Sequence, residues 1–322
     1  MFTPLQTACG GYVLHLASDG LLRLNGRVFG VSGIVHQAVG GDRARWRWGT
    51  LVGFGLGTLL VRGVDFGIRG SEAQPLFQHN WRVLEYGVAG LLVGLGTKLA
   101  SGCTSGHMFC GVSRLSKRSL VATMVFFSAG VATTALFSTA PGCGGRPCYT
   151  PTWPSQVTAM LLGMAIIGCK ALLAVLAHMD PKLPQTKTIV ALSCGMIFAI
   201  GLEISGMSTP SKTLGFLNFF HPTGWDPSLL CVVLGGLLPN MWTWMRQIRT
   251  LDHPVLDSQF YLPQSQDITA SLIMGSALFG IGWGLKGICP GPGLVKLWKP
   301  IGDVDGLVWF AGVILGGLIG RV

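Results

Sequence analysis

Nine apolar segments, each long enough to cross a bilayer as a helix, follow one another along the 322-residue chain. A spanning helix needs roughly 20 apolar residues. Only 11% of the residues are charged, too few to cover a soluble globule, for which about 25% is usual. We therefore predict an all-α polytopic membrane protein. The predicted spans are residues 5–24, 47–63, 83–101, 118–138, 154–177, 187–207, 226–244, 266–286 and 304–320.

A glycine-rich segment ends four of these spans, the first, third, sixth and eighth. The copies begin at Gly26, Gly96, Gly201 and Gly282, and each precedes a short, partly apolar stretch that is too short to cross. Glycine is also common in membrane helices for close packing alone. Because the copies recur in the same position, we predict four re-entrant loops, each a turn followed by a half-helix.

The order of the loops predicts an inverted repeat. If re-entrant segments do not cross, successive spans alternate in direction, and loops one and two enter from the face opposite to loops three and four. The chain would then be a single membrane domain, 1–322. Its halves would be residues 1–138 and 187–322, and residues 154–177 would link them. Inverted repeats whose broken helices meet near the midplane are typical of transporters.

Basic residues predict the orientation. One face receives about ten of them and the other about six, so the first face should be cytoplasmic, with the N-terminus outside and the C-terminus inside the plasma (inner) membrane. The first set is Arg43, Arg45, Arg47, Arg114, Lys117, Arg118, Lys182, Lys187, Arg246 and Arg249, and the second is Arg69, Arg82, Arg146, Lys212, Lys296 and Lys299.

Two cysteines lie in a turn rich in glycine and proline on the predicted outer face. Cys143 and Cys148 are five residues apart, between the fourth and fifth spans. At an oxidising surface such a pair can form a disulfide, or it can remain two thiols.

The segment Ser101–Gly111 has the highest density of reactive groups. Its glycines let a ligand approach the backbone, and a half-helix beginning near Ser105 would present free N–H groups to an anion. Three candidate ligands without a fourth are a weak metal site, so we predict neither a metal nor a cofactor. The candidate path residues here are Gly102, Cys103, Ser105, Gly106, His107 and Cys110.

A second candidate site lies in the fourth loop. Cys289 stands between Gly287-Ile288 and Pro290, where a helix cannot continue, and Lys286 precedes it. This loop should enter from the face opposite to Cys103, so the two thiols would approach each other near the midplane and line one path. Cys289 could instead only pack against a tight turn.

The first and third loops offer hydroxyl groups in place of thiols. Ser32 and Ser208 are the candidates, and both can donate to an anion. Glu203 lies near the end of the sixth span, where an acid is costly unless it is functional or paired. We expect it to pair with Lys286 or Lys98, and a role in proton coupling is a further hypothesis.

Enzymes and nucleic-acid binders are excluded by what the motifs lack. Residues 53–57, with glycine at every second position, lie within an apolar span and lack the strand that a dinucleotide fingerprint needs. The sequence has no nucleophile elbow and no soluble catalytic domain. The formal net charge of +10 is not gathered into a basic helix with interleaved aromatic residues. We therefore predict a protein that is not an enzyme and that binds the lipid bilayer and no nucleic acid.

The motifs resemble those of the sulfur-transport (YeeE/YedE) membrane family over residues 20–320. The resemblance is carried by residues 102–107 with 110–116, by residues 201–207 with Pro210, by residues 215–217, 225–228 and 279–285, and by residues 289–292. It implies uptake of a small inorganic sulfur anion, above all thiosulfate, along loop cysteines. On matching positions these are Cys103 and Cys289. A sulfurtransferase would be the downstream partner.

One position departs from the family pattern. The family also uses a cysteine in the first loop, where this chain has Ser32. Either Ser32 substitutes for it, or Cys110 supplies the contact, or the substrate differs. The alternative function is a membrane thiol redox or sulfur-relay protein in which Cys103, Cys110 and Cys289 exchange thiols or carry persulfide.

Overall fold

A computed structural model describes residues 2–69, 80–137, 140, 143, 147–298 and 304–320. Within these ranges the regular elements, apart from two 3₁₀ turns and the π-helical turn Val233–Leu237, are long helices interspersed with short ones. In chain order they are α1 (Pro4–Asn25), α2 (Val31–Val39), α3 (Arg45–Arg69), α4 (Asn80–Leu99), a π-helix (Ser105–Gly111), α5 (Lys117–Phe137), α6 (Gln156–Ala177), α7 (Thr186–Ser205), α8 (Pro210–Leu217), α9 (Ser228–Val232), α10 (Leu238–Arg246), α11 (Ala270–Lys286), α12 (Pro290–Leu297) and α13 (Val304–Ile319).

Each of the nine predicted spans coincides with a long helix, the seventh being α9 and α10 joined through a π-helical turn. The largest difference at the start of a span is four residues, since α11 begins at Ala270 and not at 266. By length and composition α5, α6, α7 and the helix Ser228–Thr250 can each cross a membrane, and α11 with α12 makes a fifth if that pair, bent by 47°, is one span. The fold is thus that of a helical membrane protein, and nine crossings remain a prediction.

The four helices that precede the glycine-rich segments, α1, α4, α7 and α11, are each followed by a residue in the left-handed conformation. Gly26, Gly206 and Gly287 have φ of 68°, 74° and 68°, and Ser101 has φ of 59°. Such a residue reverses the chain at a helix C-terminus, and glycine adopts this conformation without steric cost. Each turn leads through a few residues into one of the short helices: α2, the π-helix, α8 and α12.

Glycines on the long helices permit very close backbone contacts, and these contacts give the relative direction of the helices. A Cβ added at Gly10 would lie 2.3 Å from the backbone nitrogen of Ser205, and one added at Gly201 would lie 2.9 Å from that of Leu14. The residue numbers rise along α1 as they fall along α7, so the two helices are antiparallel. Gly96 against Phe279, and Gly282 against Ala89, give the same result for α4 and α11.

The contacts between the long helices fall into matching pairs. Helix α3 packs on α7, and the α9–α10 span packs in the same way on α1. Helix α13 packs on α4, and α5 packs in the same way on α11. The short helices follow the same scheme, since α2 contacts α3 and α4 while α8 contacts α9 and α11. Helix α6 contacts α1 and α7 and exposes most of its remaining surface.

The connections between helices gather at two ends of the bundle. At one end, residues 261–266 lie over the turn after α1, where the Tyr261 N–H donates to the Gly26 carbonyl at 2.7 Å. At the other end, the Cys148 N–H donates to the Thr223 carbonyl at 2.8 Å, and the Thr152 N–H donates to the Phe2 carbonyl at the same distance.

Cys143 and Cys148 form a disulfide at this second end, with their Cα atoms 5.4 Å apart.

Several positions used in the sequence predictions lie outside the described residues, or their side chains do. They are residue 1, Arg69, Arg82, residue 138, Arg146, Lys299 and residues 321–322.

Candidate anion path

A cavity of about 440 Å³ lies where loops one and two meet residues 261–266. Arg27, Arg47, Arg114 and Arg118 line it, and no Asp or Glu is among the described residues of its wall. Arg47 is paired with Asp42 just outside the wall. The cavity therefore carries a positive charge that its own lining does not balance, and an anion would be attracted into it.

Glycine backbone forms the floor of this cavity. A Cβ added at Gly30 or Gly33 would meet no atom within 4 Å, and one added at Gly106 would come no closer than 3.9 Å to the Cα of Gly30. Gly102 also lies in the wall, against the ring of His107. A small ligand in the cavity can therefore reach the main chain of loops one and two without displacing side chains.

Cys103 is buried immediately beyond this floor. Cys103 is 1% exposed, and its Sγ lies 3.3 Å from the Ser105 hydroxyl. That hydroxyl accepts a hydrogen bond of 3.0 Å from the backbone N–H of Val31, the first residue of α2. Ser105 thus holds the second loop against the first and keeps the Cys103 thiol next to both.

Cys289 reaches the same region from the fourth loop. It is the N-cap of α12 in an extended conformation, and Pro290 occupies the first helical position, where its missing N–H leaves no hydrogen bond unmade. The Thr104 hydroxyl donates to Cys289 Sγ at 3.4 Å, across 185 residues of sequence. A small cavity of about 20 Å³ lies beside Cys289 and is walled mainly by apolar side chains, including Met108 and Met207.

His107 and Cys110 are fixed by hydrogen bonds to neighbouring segments. The His107 nitrogens lie 3.0 Å from the Ala100 carbonyl and 3.2 Å from the Ser119 hydroxyl, so the ring ties the second loop to α5 although its edge lines the large cavity. The Cys110 thiol donates to the Phe29 carbonyl at 3.7 Å. Its side chain lines a different cavity of about 20 Å³ from the one beside Cys289.

Ser32, Ser208 and Lys286 have different surroundings. Ser32 lies in the wall of the large cavity, and its buried hydroxyl has no hydrogen-bond partner among the described residues. Ser208 and Lys286 belong to neither the large cavity nor the one beside Cys289. Ser208 donates to Glu203 at 2.9 Å, and Lys286 forms an ion pair with Glu85.

The predicted ion pair of Glu203 with Lys286 or Lys98 is therefore wrong. Lys286 is taken by Glu85 at the start of α4, which packs antiparallel to α11, and Lys98 packs against Gly320 at the end of α13. Sequence reasoning also missed Thr104 as a link between the loops. Its place beside Cys103 was a signal, but its contact with Cys289 depends on a tertiary approach.

Comparison with known proteins gives matches to two separate parts of the chain. Residues 12–133 match the sulphur-transport family, and residues 186–321 match a family of unknown function, DUF6691. A "Probable transporter" of Xylella fastidiosa (strain Temecula1 / ATCC 700964) is 42% identical over 130 residues, which are 40% of this chain and 85% of that protein. A second "Probable transporter" of the same strain is 44% identical over 124 residues, 38% of this chain and 87% of that protein.

Proposed function

Because the chain belongs to the sulphur-transport family of membrane proteins, we propose that it is a permease for thiosulfate, which it passes between the thiols of Cys103 and Cys289. The observation that carries this proposal is the contact of Thr104 with Cys289, which joins the loop of Cys103 to the loop of Cys289. The two thiols share one buried region although the chain separates them by 186 positions. An anion that leaves one thiol can therefore meet the other.

The chemistry of the path suits thiosulfate. Its oxygens carry much of the charge and would be attracted by the arginines of the large cavity, while its terminal sulfur is a soft acceptor. A thiol is a weak donor and a polarizable contact, so it can hold that sulfur without the strong grip that would trap it. No covalent step is needed. Thiosulfate enters the bundle as a dianion, moves from one S–H group to the next and leaves unchanged.

The antiparallel pairing of α1 with α7 and of α4 with α11 supports an inverted repeat. The first loop pair would then open towards the cytoplasm, where the basic residues predict that face, and the second pair would open outside. In this orientation the arginine-lined cavity is the cytoplasmic end of the path. A sulfurtransferase that takes the released thiosulfate is the downstream partner we propose.

Uptake of ³⁵S-labelled thiosulfate into proteoliposomes tests the proposal. We expect Cys103→Ala and Cys289→Ala each to lower the initial rate about tenfold or more, which corresponds to about 1.4 kcal/mol. Cys169→Ala is the matched control, because this buried thiol lies on α6 and away from both loops. Rates equal to wild type in both path variants would refute the cysteine path. Thiols that cycle with a reductant while no sulfur anion moves would support the relay function instead.

A further inference from the structure

A buried histidine in α1 is connected to the second loop by one side chain. His15 is 5% exposed, and its Nδ1 lies 2.7 Å from Oδ1 of Asn240 in α10. The amide nitrogen of Asn240 lies 3.3 Å from the carbonyl oxygen of Phe109, which belongs to the π-helix. Asn240 therefore bridges a titratable ring to the residue that precedes Cys110.

The bridge determines which nitrogen of His15 can take up a proton. A carbonyl oxygen only accepts hydrogen bonds, so the Asn240 atom that faces Phe109 must be the NH₂ group. The atom that faces His15 is then the amide oxygen, and Nδ1 must donate to it. In the neutral ring the proton is on Nδ1, and Nε2 is left with its lone pair as the position where a further proton binds.

Ser18 reinforces this arrangement. Its hydroxyl lies 3.0 Å from Asn240 Nδ2 and 3.0 Å from the Leu14 carbonyl, so it accepts from the amide and donates to the helix backbone. Ser18 and Asn240 also line a cavity of about 20 Å³ shared with Asp19, Cys110 and Arg114. A space of this size suits one water molecule beside the polar groups of Ser18 and Asn240.

The neighbouring charges do not neutralise a protonated His15. Asp19 is paired with Arg23 at 3.2 Å, and Lys170 on α6 lies over the ring of Tyr12, which packs against His15. A thiosulfate dianion held on the second loop would supply the missing negative charge in a medium of low dielectric constant. Titratable and charged groups around the network are Tyr12, Asp19 and Arg23 on α1, Lys170 on α6, Cys194 on α7 beside Asp19, and Arg114 in the cavity that Ser18 and Asn240 line.

We propose that His15 is a proton-binding site that couples proton entry to thiosulfate entry, with Asn240 transmitting its protonation to the loop that carries Cys110. This inference rests on the proposed permease function. The proton binds to Nε2 when the dianion occupies the loop cysteines and leaves Nε2 when the dianion moves on. Proton and anion cross in the same direction, and neither is consumed.

The test compares His15→Gln with wild type in proteoliposomes. Glutamine keeps a donor for the Asn240 oxygen but cannot titrate. Between about pH 5 and pH 8, where histidine changes charge, we expect acidifying the donor side to raise the wild-type uptake rate at least about threefold and to leave the His15→Gln rate unchanged. His253→Gln, in the segment between α10 and α11, is the control and should keep the wild-type profile. The same profile in wild type and His15→Gln would overturn the proposal.

A second readout separates this inference from the permease function. The rate at which N-ethylmaleimide labels Cys110, measured on its peptide by mass spectrometry, reports the second loop directly. We expect the wild-type to His15→Gln ratio of these rates to change at least about twofold across that pH range. A ratio that stays constant overturns the proton site even if thiosulfate is transported. A ratio that changes with pH supports the proton site even if thiosulfate is not transported. If His15→Gln does not give a monodisperse protein, His15→Asn replaces it in both experiments.

Discussion

Ser32 lies in the wall of the large cavity, and its buried hydroxyl has no hydrogen-bond partner among the described residues. An unsatisfied buried hydroxyl costs about 1–3 kcal/mol, so a group of this kind calls for an explanation. A substrate that accepts its hydrogen bond when it passes the glycine floor of the large cavity provides one. On this ground we propose that the hydroxyl belongs to the path, although it cannot take part in thiol chemistry.

Ser32→Ala should therefore separate transport from stability. We expect the thiosulfate concentration for half-maximal uptake to rise about fivefold, which corresponds to the loss of one hydrogen bond of about 1 kcal/mol. The melting temperature should stay equal or rise, because the variant removes an unsatisfied group. Uptake titrations and thermal unfolding of the purified protein measure the two effects. An unchanged half-maximal concentration would show that Ser32 does not contact the substrate.

Thr104→Val removes the hydroxyl that contacts Cys289 and keeps the shape of the side chain. We expect the uptake rate to fall about threefold to tenfold, because the thiol loses the donor that fixes its position, a contribution of about 1 kcal/mol. Thr58→Val is the matched control. Thr58 is also buried, but its hydroxyl donates at 2.8 Å to the Phe54 carbonyl within α3. Equal losses in the two variants would mean that the Thr104 contact has no specific role.

At the scale of the helices, the close contacts depend on glycine. A Cβ added at Gly94 of α4 would lie 2.1 Å from the Val313 carbonyl of α13, whereas one added at Gly163 of α6 would meet no atom within 4 Å. Alanine at the first position has to push the two helices apart. At the second it only removes the backbone freedom of glycine.

The two alanine substitutions should consequently have opposite signs. We expect Gly94→Ala to destabilise the protein by about 1–3 kcal/mol through overpacking. Gly163→Ala should be neutral or stabilise the helix by up to about 1 kcal/mol. The comparison uses the melting temperature of each variant in detergent, measured from the loss of the monodisperse peak in size-exclusion chromatography after heating. A stable Gly94→Ala variant would contradict the close contact of α4 with α13.

At the scale of the whole molecule, each half matches a different family, and α6 lies between the matched ranges. The matches to the two relatives cover 40% and 38% of this chain, and they cover 85% and 87% of the relatives themselves. We expect α6 to reverse the second half, because it would be an odd helix between two predicted four-span halves.

A chain divided between residues 181 and 182 should reassemble. We expect the two fragments to purify together when they are co-expressed and to restore thiosulfate uptake to at least about a third of the wild-type rate, since the α1–α7 and α4–α11 interfaces hold the halves together without the linker. Neither fragment should transport alone. Fragments that do not associate would show that the covalent connection, and not helix packing, holds the halves in place.

The orientation of the whole bundle makes a separate prediction. Cysteines introduced at Lys182 and Thr152, which are both exposed, should lie on opposite faces of the membrane. A membrane-impermeant maleimide should label Thr152→Cys in intact cells. It should label Lys182→Cys only after the cells are permeabilised. The reverse pattern would invert the proposed orientation, and labelling of both positions in intact cells would contradict the odd helix between them.

The sequence by itself determined the long helices, the glycine-rich breaks after four of them and the interruption of the helix before Cys289. These depend on apolar run length and on glycine and proline, whose effects are local in the chain. Only the tertiary structure decided that Thr104 meets Cys289, that Lys286 pairs with Glu85 and not with Glu203, and that His15 reaches the second loop through Asn240. Their partners lie roughly 185 to 225 residues apart in sequence, and helix packing, which no local pattern encodes, brings them together.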